Sequence, residues 1–324
     1  MKEFMVKDYM TPISTKKMPI RQKKIVKLGT LQNDFCESTP FIWKGELAIF
    51  EWVRSGSWTH FKNEVGCFQI YFPERDEASK KFAFDHAFGS CIEENGTVYV
   101  NCVKGSDGYT NQLDMFWSSD LENWERKDAI ITVPEDMCIF NTSVCKGKDG
   151  YVMAIEVGTE SGKHPVIGRN YSIIFAKSKD LFNWELLPIE QYLYCAERYT
   201  ACPSIRYFDG FYYMVYLENA PFHRWISYIV RTEDLLLWEV GEINPFMTPC
   251  DDDKKILRPE KFTKKEIEDV ENMFNCNLSD VDFCDYNGKA IIMYNYGNQA
   301  GSGALAMAEF DGSLQELLES YFLK

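Results

Sequence analysis

Residues Glu197 to Glu218 read E-R-Y-T-A-C-P-S-I-R-Y-F-D-G-F-Y-Y-M-V-Y-L-E. The run is rich in aromatic and β-branched residues and is broken once, at Asp209-Gly210, a pair that tolerates the positive φ angles of a tight hairpin turn. It therefore predicts two antiparallel strands, Pro203 to the turn and Phe211 to Leu217, with an acidic residue, Glu197, just upstream. The same grammar recurs along the chain: a carboxylate, a short strand, a Gly-containing turn, a second strand, and then a Ser/Thr-x-Asp-Leu-x-x-Trp segment.

Three copies of that last segment align without gaps: S-S-D-L-E-N-W (118–124), S-K-D-L-F-N-W (178–184) and T-E-D-L-L-L-W (232–238). Their tryptophans are 60 and 54 residues apart, a period that marks a repeat architecture. Each copy reads as a turn at Asp-Leu with the Trp anchoring an outer strand. Two-strand units with a Gly turn follow the same beat: Phe41 to Val53 around Gly45, Ser90 to Val103 around Gly96, Ser143 to Val157 around Gly150, Pro203 to Leu217 around Gly210, and Val281 to Tyr296 around Gly288. Five such units at near-even spacing predict an all-β fold, a five-bladed β-propeller in one domain spanning residues 1–324.

Two helices are expected beside it. Thr263 and Glu266 stand at capping-box spacing and open a helical insertion, 261–276, between blades four and five. Leu314, Leu317, Leu318, Tyr321 and Phe322 follow helical periodicity and give a short C-terminal helix over 313–323. The last unit then lacks a fourth strand, and residues 1–28, with eight basic side chains against two acidic ones, are expected to supply it from Lys23 to Leu28 or to clasp the ring nearby.

The 324 residues carry a net charge of −14 with 45% hydrophobic and 15% aromatic content. That composition supplies core material throughout, and the acidic balance opposes nucleic acid and anionic membranes as partners. A neutral small molecule is the natural partner. Phe4-Met5-Val6 is the longest apolar run near the start, so no secretory segment is read there, and no stretch reaches membrane-span length. Eleven cysteines, an odd count with no C-x-x-C pair, read as reduced thiols in a cytoplasmic protein. No cofactor motif or metal-ligand spacing is present, although a single ion on the axis stays open, and no motif speaks to oligomeric state.

Carboxylates placed just before the innermost strands are the candidate chemistry, because acids within hydrophobic β-sequence are costly to bury unless paired or used. They are Asp34 and Glu37, Asp85 beside His86, Glu197 beside Arg198, and Asp280 with Asp282; Asn141 and, further along, Glu156 stand in the third unit. Asp34 lies six residues before Pro40 and Glu197 six before Pro203, which suggests one register in both units. Acids converging from several blades divide into one protonated and one ionised member, the arrangement glycoside hydrolysis needs.

P-S-I-R-Y-F-D-G-F-Y-Y-M-V-Y, the three Asp-Leu-x-x-Trp turns and S-D-V-D-F-C-D-Y-N-G-K (279–289) together resemble the five-bladed β-propeller glycoside hydrolases, the superfamily of family 43 arabinanases and β-xylosidases and of neoagarobiose hydrolases. The resemblance runs from about residue 30 to 312. It implies Asp34 as general base, Glu197 as general acid and Asp85 as the residue that tunes their pKa, with Asp280 and Asp282 as competitors for that task. It also brings in His223, since neoagarobiose-type members use a histidine as acid. Glu37, His86, Asn141, Arg198, His223, Asp280, Asp282 and Gln299 would bind substrate, and Trp58 and Trp225 could stack on a sugar. Asp34 is not followed by proline, and no E-G-P triplet accompanies Glu197.

The expected activity is an exo-acting, inverting glycosidase on a short oligosaccharide. Two alternatives stand beside it. A phosphate-dependent glycoside phosphorylase would draw on Arg198, Arg206 and Arg224, and a non-catalytic propeller would bind a glycan or a protein.

Overall fold

The computed structural model describes residues 24–34, 37–53, 66–105, 110–159, 163–169, 171–221, 224–299 and 301–322. They form an all-β protein of four-stranded antiparallel sheets. Strand β1 (Ile25–Asn33) comes first in the chain. One sheet follows from β2 (Ser38–Trp43), β3 (Glu46–Val53), β4 (Cys67–Phe72) and β5 (Glu77–Ala78), and a second from β6 (His86–Glu94), β7 (Thr97–Lys104), β8 (Gln112–Ser118) and β9 (Glu125–Thr132). A third takes β10 (Cys138–Gly147) and β11 (Gly150–Gly158). A small ribbon of β12 (Lys163–His164) and β13 (Gly168–Arg169) interrupts it before β14 (Ser172–Ser178) and β15 (Trp184–Leu186) complete it.

The remaining strands are β16 (Thr200–Phe208), β17 (Phe211–Ala220), β18 (Arg224–Thr232), β19 (Glu239–Val240), β20 (Asn277–Tyr286), β21 (Lys289–Gly297) and β22 (Gly303–Phe310). They form two four-stranded halves joined by one parallel pair, Trp225 with Asn277. The second half is completed by β1, which runs antiparallel to β22 from Ile25↔Phe310 to Asn33↔Ala304. The N-terminal strand is thus the outer strand of the last sheet.

Four of the five inner hairpins turn on a residue pair with both φ angles positive: Lys44-Gly45, Asn95-Gly96, Asp209-Gly210 and Asn287-Gly288, the geometry that matches strand twist. The third closes from Gly147 to Gly150 across Lys148-Asp149. The Ser/Thr-x-Asp-Leu turns are alike in detail. Ser118, Ser178 and Thr232 each accept the N–H of the Asp two residues on, and Asp120, Asp180 and Asp234 each accept two further backbone N–H groups. Leu121, Leu181 and Leu235 sit buried in a left-handed conformation with φ of 64°, 68° and 68°.

Alternating strand residues pack each sheet against a different neighbour. Val98, Val100 and Cys102 meet Phe50, Phe68 and Phe82, while Val103, Leu113 and Met115 face Ile139, Met153 and Ile174. Two further interfaces, around Phe175 with Met214 and around Ile229 with Phe283, join the later sheets. A smaller one, Leu31, Ile49, Met293 and Leu305, joins the last sheet to the first. The inner strands are neighbours in the cycle β2, β6, β10, β16, β20 and back to β2.

Helix α1 (Ile189–Tyr192) is a single turn. Helix α2 (Lys264–Asn272) opens on the Thr263–Glu266 capping box, and α3 (Leu314–Glu319) on one made by Ser313 and Glu316. Leu314, Leu317 and Leu318 of α3 are buried against the last sheet. No helix among the described residues is long and apolar enough to cross a membrane.

Candidate active site

Four of the five inner strands, β6, β10, β16 and β20, are irregular near their N-terminal ends. Counted back from the last paired residue before the hairpin turn (Trp43, Glu94, Gly147, Phe208 and Tyr286), the sixth residue is Glu37, Phe88, Asn141, Cys202 and Asp280. In β6, β10, β16 and β20 that residue lies in a β-bulge. Glu37, Phe88, Cys202 and Asp280 have φ of 55°, 41°, 48° and 51°, unfavourable for side chains of this kind and held there by the surrounding sheet. Three bulges and the left-handed residue before β2 bring four polar side chains to one place. Glu37, Asn141, Cys202 and Asp280, with Ser38, Thr39, Thr142 and Asp282, line a hollow of about 30 Å³ where the inner strands converge, room for one water molecule.

Behind that hollow lies Glu156 of β11, 3% exposed. Its Oε2 accepts the Cys202 N–H at 2.8 Å and Asn141 Nδ2 at 3.2 Å. Burial pushes its carboxyl up to about 8 against those hydrogen bonds, and the negative charge of Asp280 pushes the same way. The Cys202 thiol is raised far above its ordinary range by burial and then by Asp280, Glu156 and Glu37, so it stays a thiol. Three carboxyl groups therefore surround one sulfur, and burial favours the protonated form of the innermost.

The floor is built from small hydroxyls two residues further along the inner strands. Ser90 and Thr142 share a 3.0 Å hydrogen bond, Ser143 accepts the Ile205 N–H, and Ser204 donates to Asp282 at 2.7 Å. Beneath them Arg206 binds Asp282 and the carbonyls of Ile205 and Phe283. A guanidinium tied to a buried carboxylate thus links β16 to β20 below the hydroxyls. A row of rings runs Trp52, Phe88, Phe140, Tyr171, Tyr199 and Trp225, with successive centroids 4.9 to 5.5 Å apart; Trp52 and Phe140 are buried and the others partly exposed.

The expected residues fall into distinct groups. Glu37, Asn141, Asp280 and Asp282 line the hollow. Asp34, Asp85 and Glu197 are exposed and lie just before β2, β6 and β16, outside its lining. The proline count that equated Asp34 with Glu197 is corrected by the register: Pro40 pairs with Ile49 inside β2, whereas Pro203 lies in the β16 bulge, so the two acids are not equivalent in their sheets.

His86 is 2% exposed, with Nε2 on Asp114 at 3.0 Å and Nδ1 on the Phe84 carbonyl at 3.0 Å, a core position away from the hollow. Arg198 is exposed and pairs with Glu218 at 3.3 Å, and Gln299 donates to Asn277 at 3.0 Å. His223 and Trp58 lie outside the described residues. Cys202 and the depth of Glu156 were not anticipated; counting residues back from each hairpin turn, rather than from prolines, would have found Cys202. No group of three or more His, Cys, Asp or Glu among the described residues is arranged to hold a metal ion.

Fold and site together define a β-sheet protein whose inner strands meet at an acidic hub. Solved structures share that fold. A glycoside hydrolase is 14% identical over 89% of this chain and 91% of its own, with a TM-score of 0.60. A glycosyl hydrolase from Bacteroides ovatus is 10% identical over 90% and 95%, with a TM-score of 0.55, and a GH43_1 enzyme from Xanthomonas citri is 11% identical over 89% and 91%, at 0.53. Similarity at this identity is similarity of fold. No family model and no curated protein matches the sequence.

Proposed function

We propose that the chain is a glycoside hydrolase built as a five-bladed β-propeller, and that it removes single sugars from the end of a short oligosaccharide with inversion. The observation that carries the reading is the convergence of Glu37, Asp280 and Glu156 around one hollow. The cycle of inner strands and the five apolar interfaces support the propeller, and the glycoside hydrolases that share the fold support the reaction class. In this reading the Arg206–Asp282 pair stands at the inner end of the hollow, so substrate enters from the other end, which favours attack at a chain terminus. The partly exposed rings of the row, Phe88, Tyr171, Tyr199 and Trp225, supply apolar surface for sugar C–H faces.

In this reading Glu37 is the base that activates water, for which the hollow has the right volume. Burial and, to a lesser degree, the negative charge of Asp280 favour a proton on Glu156. Asp280, which lines the hollow, gives a proton to the leaving oxygen, and Glu156 resupplies it. Oxygen of the water forms the new bond to the anomeric carbon as the glycosidic bond breaks, and the water's proton passes to Glu37.

The resemblance implies a different pair, Asp34 and Glu197, and one assay separates the two. On a panel of aryl glycosides and short oligosaccharides, Glu37→Gln and Asp280→Asn should each lower kcat by about 10²- to 10⁴-fold, with Asp34→Asn and Glu197→Gln within tenfold of the native enzyme. The reverse pattern would return catalysis to the exposed pair. Of the three arginines the phosphorylase reading would draw on, Arg206 is committed to Asp282 and Arg198 to Glu218, which leaves that reading with Arg224, exposed at the start of β18.

A further inference from the structure

The seam between the last sheet and the first is thinner than the others. Among the described residues four buried apolar side chains, Leu31, Ile49, Met293 and Leu305, fill it, against eleven to twenty-two at each of the rest. The apolar layer then gives way to a polar cluster. Glu51 stands two residues after Ile49 on the same face of β3 and is 0% exposed. Gln69 of β4, its cross-strand partner, donates to Oε2 at 2.9 Å, and Gln32 of β1 donates to the same carboxyl from the last sheet. A hydrogen bond to a buried acid therefore crosses the place where the two sheets close on each other.

Two acceptors in this cluster have no donor. Glu51 Oε1 and Gln32 Oε1 are both buried without a hydrogen-bond partner, and a proton on Glu51 would supply the missing O–H. No cation compensates the carboxyl. Burial pushes it up to about 7, and only Gln69 and Gln32 act against that. The charged and titratable groups on the surrounding elements are engaged elsewhere. Tyr71 of β4 is bound to Asp76, and Arg258, in the segment beside β1, acts on both of them. Lys27 of β1 and Tyr294 of β21 are on Asp253, His86 of β6 is on Asp114, and Glu37, just before β2, lines the hollow. Beside Gln32 lies a cavity of about 220 Å³, lined also by Leu31, Asn33 and Tyr71, with room for about seven waters at roughly 30 Å³ each. Gln32 thus stands between that cavity and a carboxyl closed to solvent.

We propose that Glu51 and Gln32 form a pH-operated latch on the closure of the fold: protonated Glu51 holds β1 against the first sheet, and ionised Glu51 draws in water past Gln32 and loosens β1. A carboxylate buried without a counter-charge gains more from hydration than from two amide hydrogen bonds, and the thinnest packing, next to Gln32, is where water enters at least cost. The sign follows from a pKa that is higher folded than unfolded: the latch is closed in acid and opens as pH rises through about 7. Ser38 is the cross-strand partner of Glu51 and lines the hollow, so the loosened seam borders the hub. The latch itself does not depend on the reaction there.

Amide hydrogen exchange of the full chain, corrected for the intrinsic effect of pH on exchange, reads the latch strand by strand without any assay of catalysis. Between about pH 6 and about pH 8.5, protection of Ile25–Asn33 should fall by about tenfold, the ratio given by a carboxyl at 4.5 when open and about 7 when closed. The change in β7 should be smaller. Glu51→Gln, an isostere of the protonated acid, should keep β1 protected at the higher pH, and Glu156→Gln should leave the fall in place. Gln32→Ala should lower the protection of β1 by about fivefold already at the lower pH, the effect of one hydrogen bond. Protection of β1 that is independent of pH, the same fall in Glu51→Gln, or full protection in Gln32→Ala would overturn the proposal. An equal fall in every sheet, or loss of the fall in Glu156→Gln, would also overturn it, by placing the titration outside the seam.

Discussion

At the scale of single residues, the hub works by opposing costs. Glu156 is raised to about 8 by burial, and Glu51 to about 7 for the same reason despite hydrogen bonds from Gln69 and Gln32. A carboxyl whose pKa is higher folded than unfolded contributes stability below its unfolded value and loses it as pH rises through the folded one. Stability should therefore fall between about pH 4.5 and 8. Glu156→Gln should flatten that fall, read as the urea midpoint against pH; an unchanged slope would show that Glu156 does not carry the proton. Asp114 behaves oppositely. Burial raises it, but hydrogen bonds from His86, the Ala129 N–H and Gln112 prevail and hold it below the usual carboxylate range. Its contribution is present above the unfolded pKa and lost in strong acid.

Residue roles were the least legible part of the sequence. Glu37 and Asp280 were visible as acids near inner strands, yet Asp34 and Glu197 were equally visible. What separates them is their place relative to the hairpin turn: Glu37 and Asp280 both stand six residues before the last paired residue, whereas Asp34 shares the positive φ of Glu37 yet lies outside the lining of the hollow, a placement that depends on how a strand is paired and leaves no mark in composition.

At the scale of elements, β1 is held by more than its pairing with β22. Lys27 Nζ lies 2.6 Å from Asp253 Oδ1, with Asp253 fully buried and also bound by the Cys250 N–H, Asn275 and Tyr294. Removing one member of such a pair strands a charge away from water. Lys27→Met should cost about 3 kcal/mol in chemical denaturation, and adding Asp253→Asn should restore part of it, since the coupling belongs to the pair. A loss below about 0.5 kcal/mol, within the range of ordinary surface substitutions, would mean that pairing with β22 alone seats the strand. The basic character of the N-terminal stretch was plain in the sequence. Its counter-charge was not, because Asp253 lies more than two hundred residues away in an irregular segment.

Across the whole molecule, the axis is tied by Arg206, which joins β16 to Asp282 and Phe283 of β20. Arg206→Met should lower stability by about 3 kcal/mol and loosen both neighbouring sheets at once, seen as faster amide exchange in β16 and β20 together. Exchange confined to β16 would show that the axis does not couple them. The smallest apolar interface among the described residues, between the last and first sheets, is also where β1 lies.

The all-β class, the hairpins, the three Asp-Leu-x-x-Trp turns and both capped helices were determined by the sequence alone, because each rests on contacts within a few residues: turn φ angles, side chain to backbone hydrogen bonds and alternation of apolar side chains. Which carboxylates meet, which arginine is spent on an ion pair and where a cavity opens were decided only by the tertiary structure. Those outcomes depend on pairs far apart in the chain, such as Glu156 with Cys202 or Lys27 with Asp253, and on the burial that turns an ordinary carboxyl into a proton carrier.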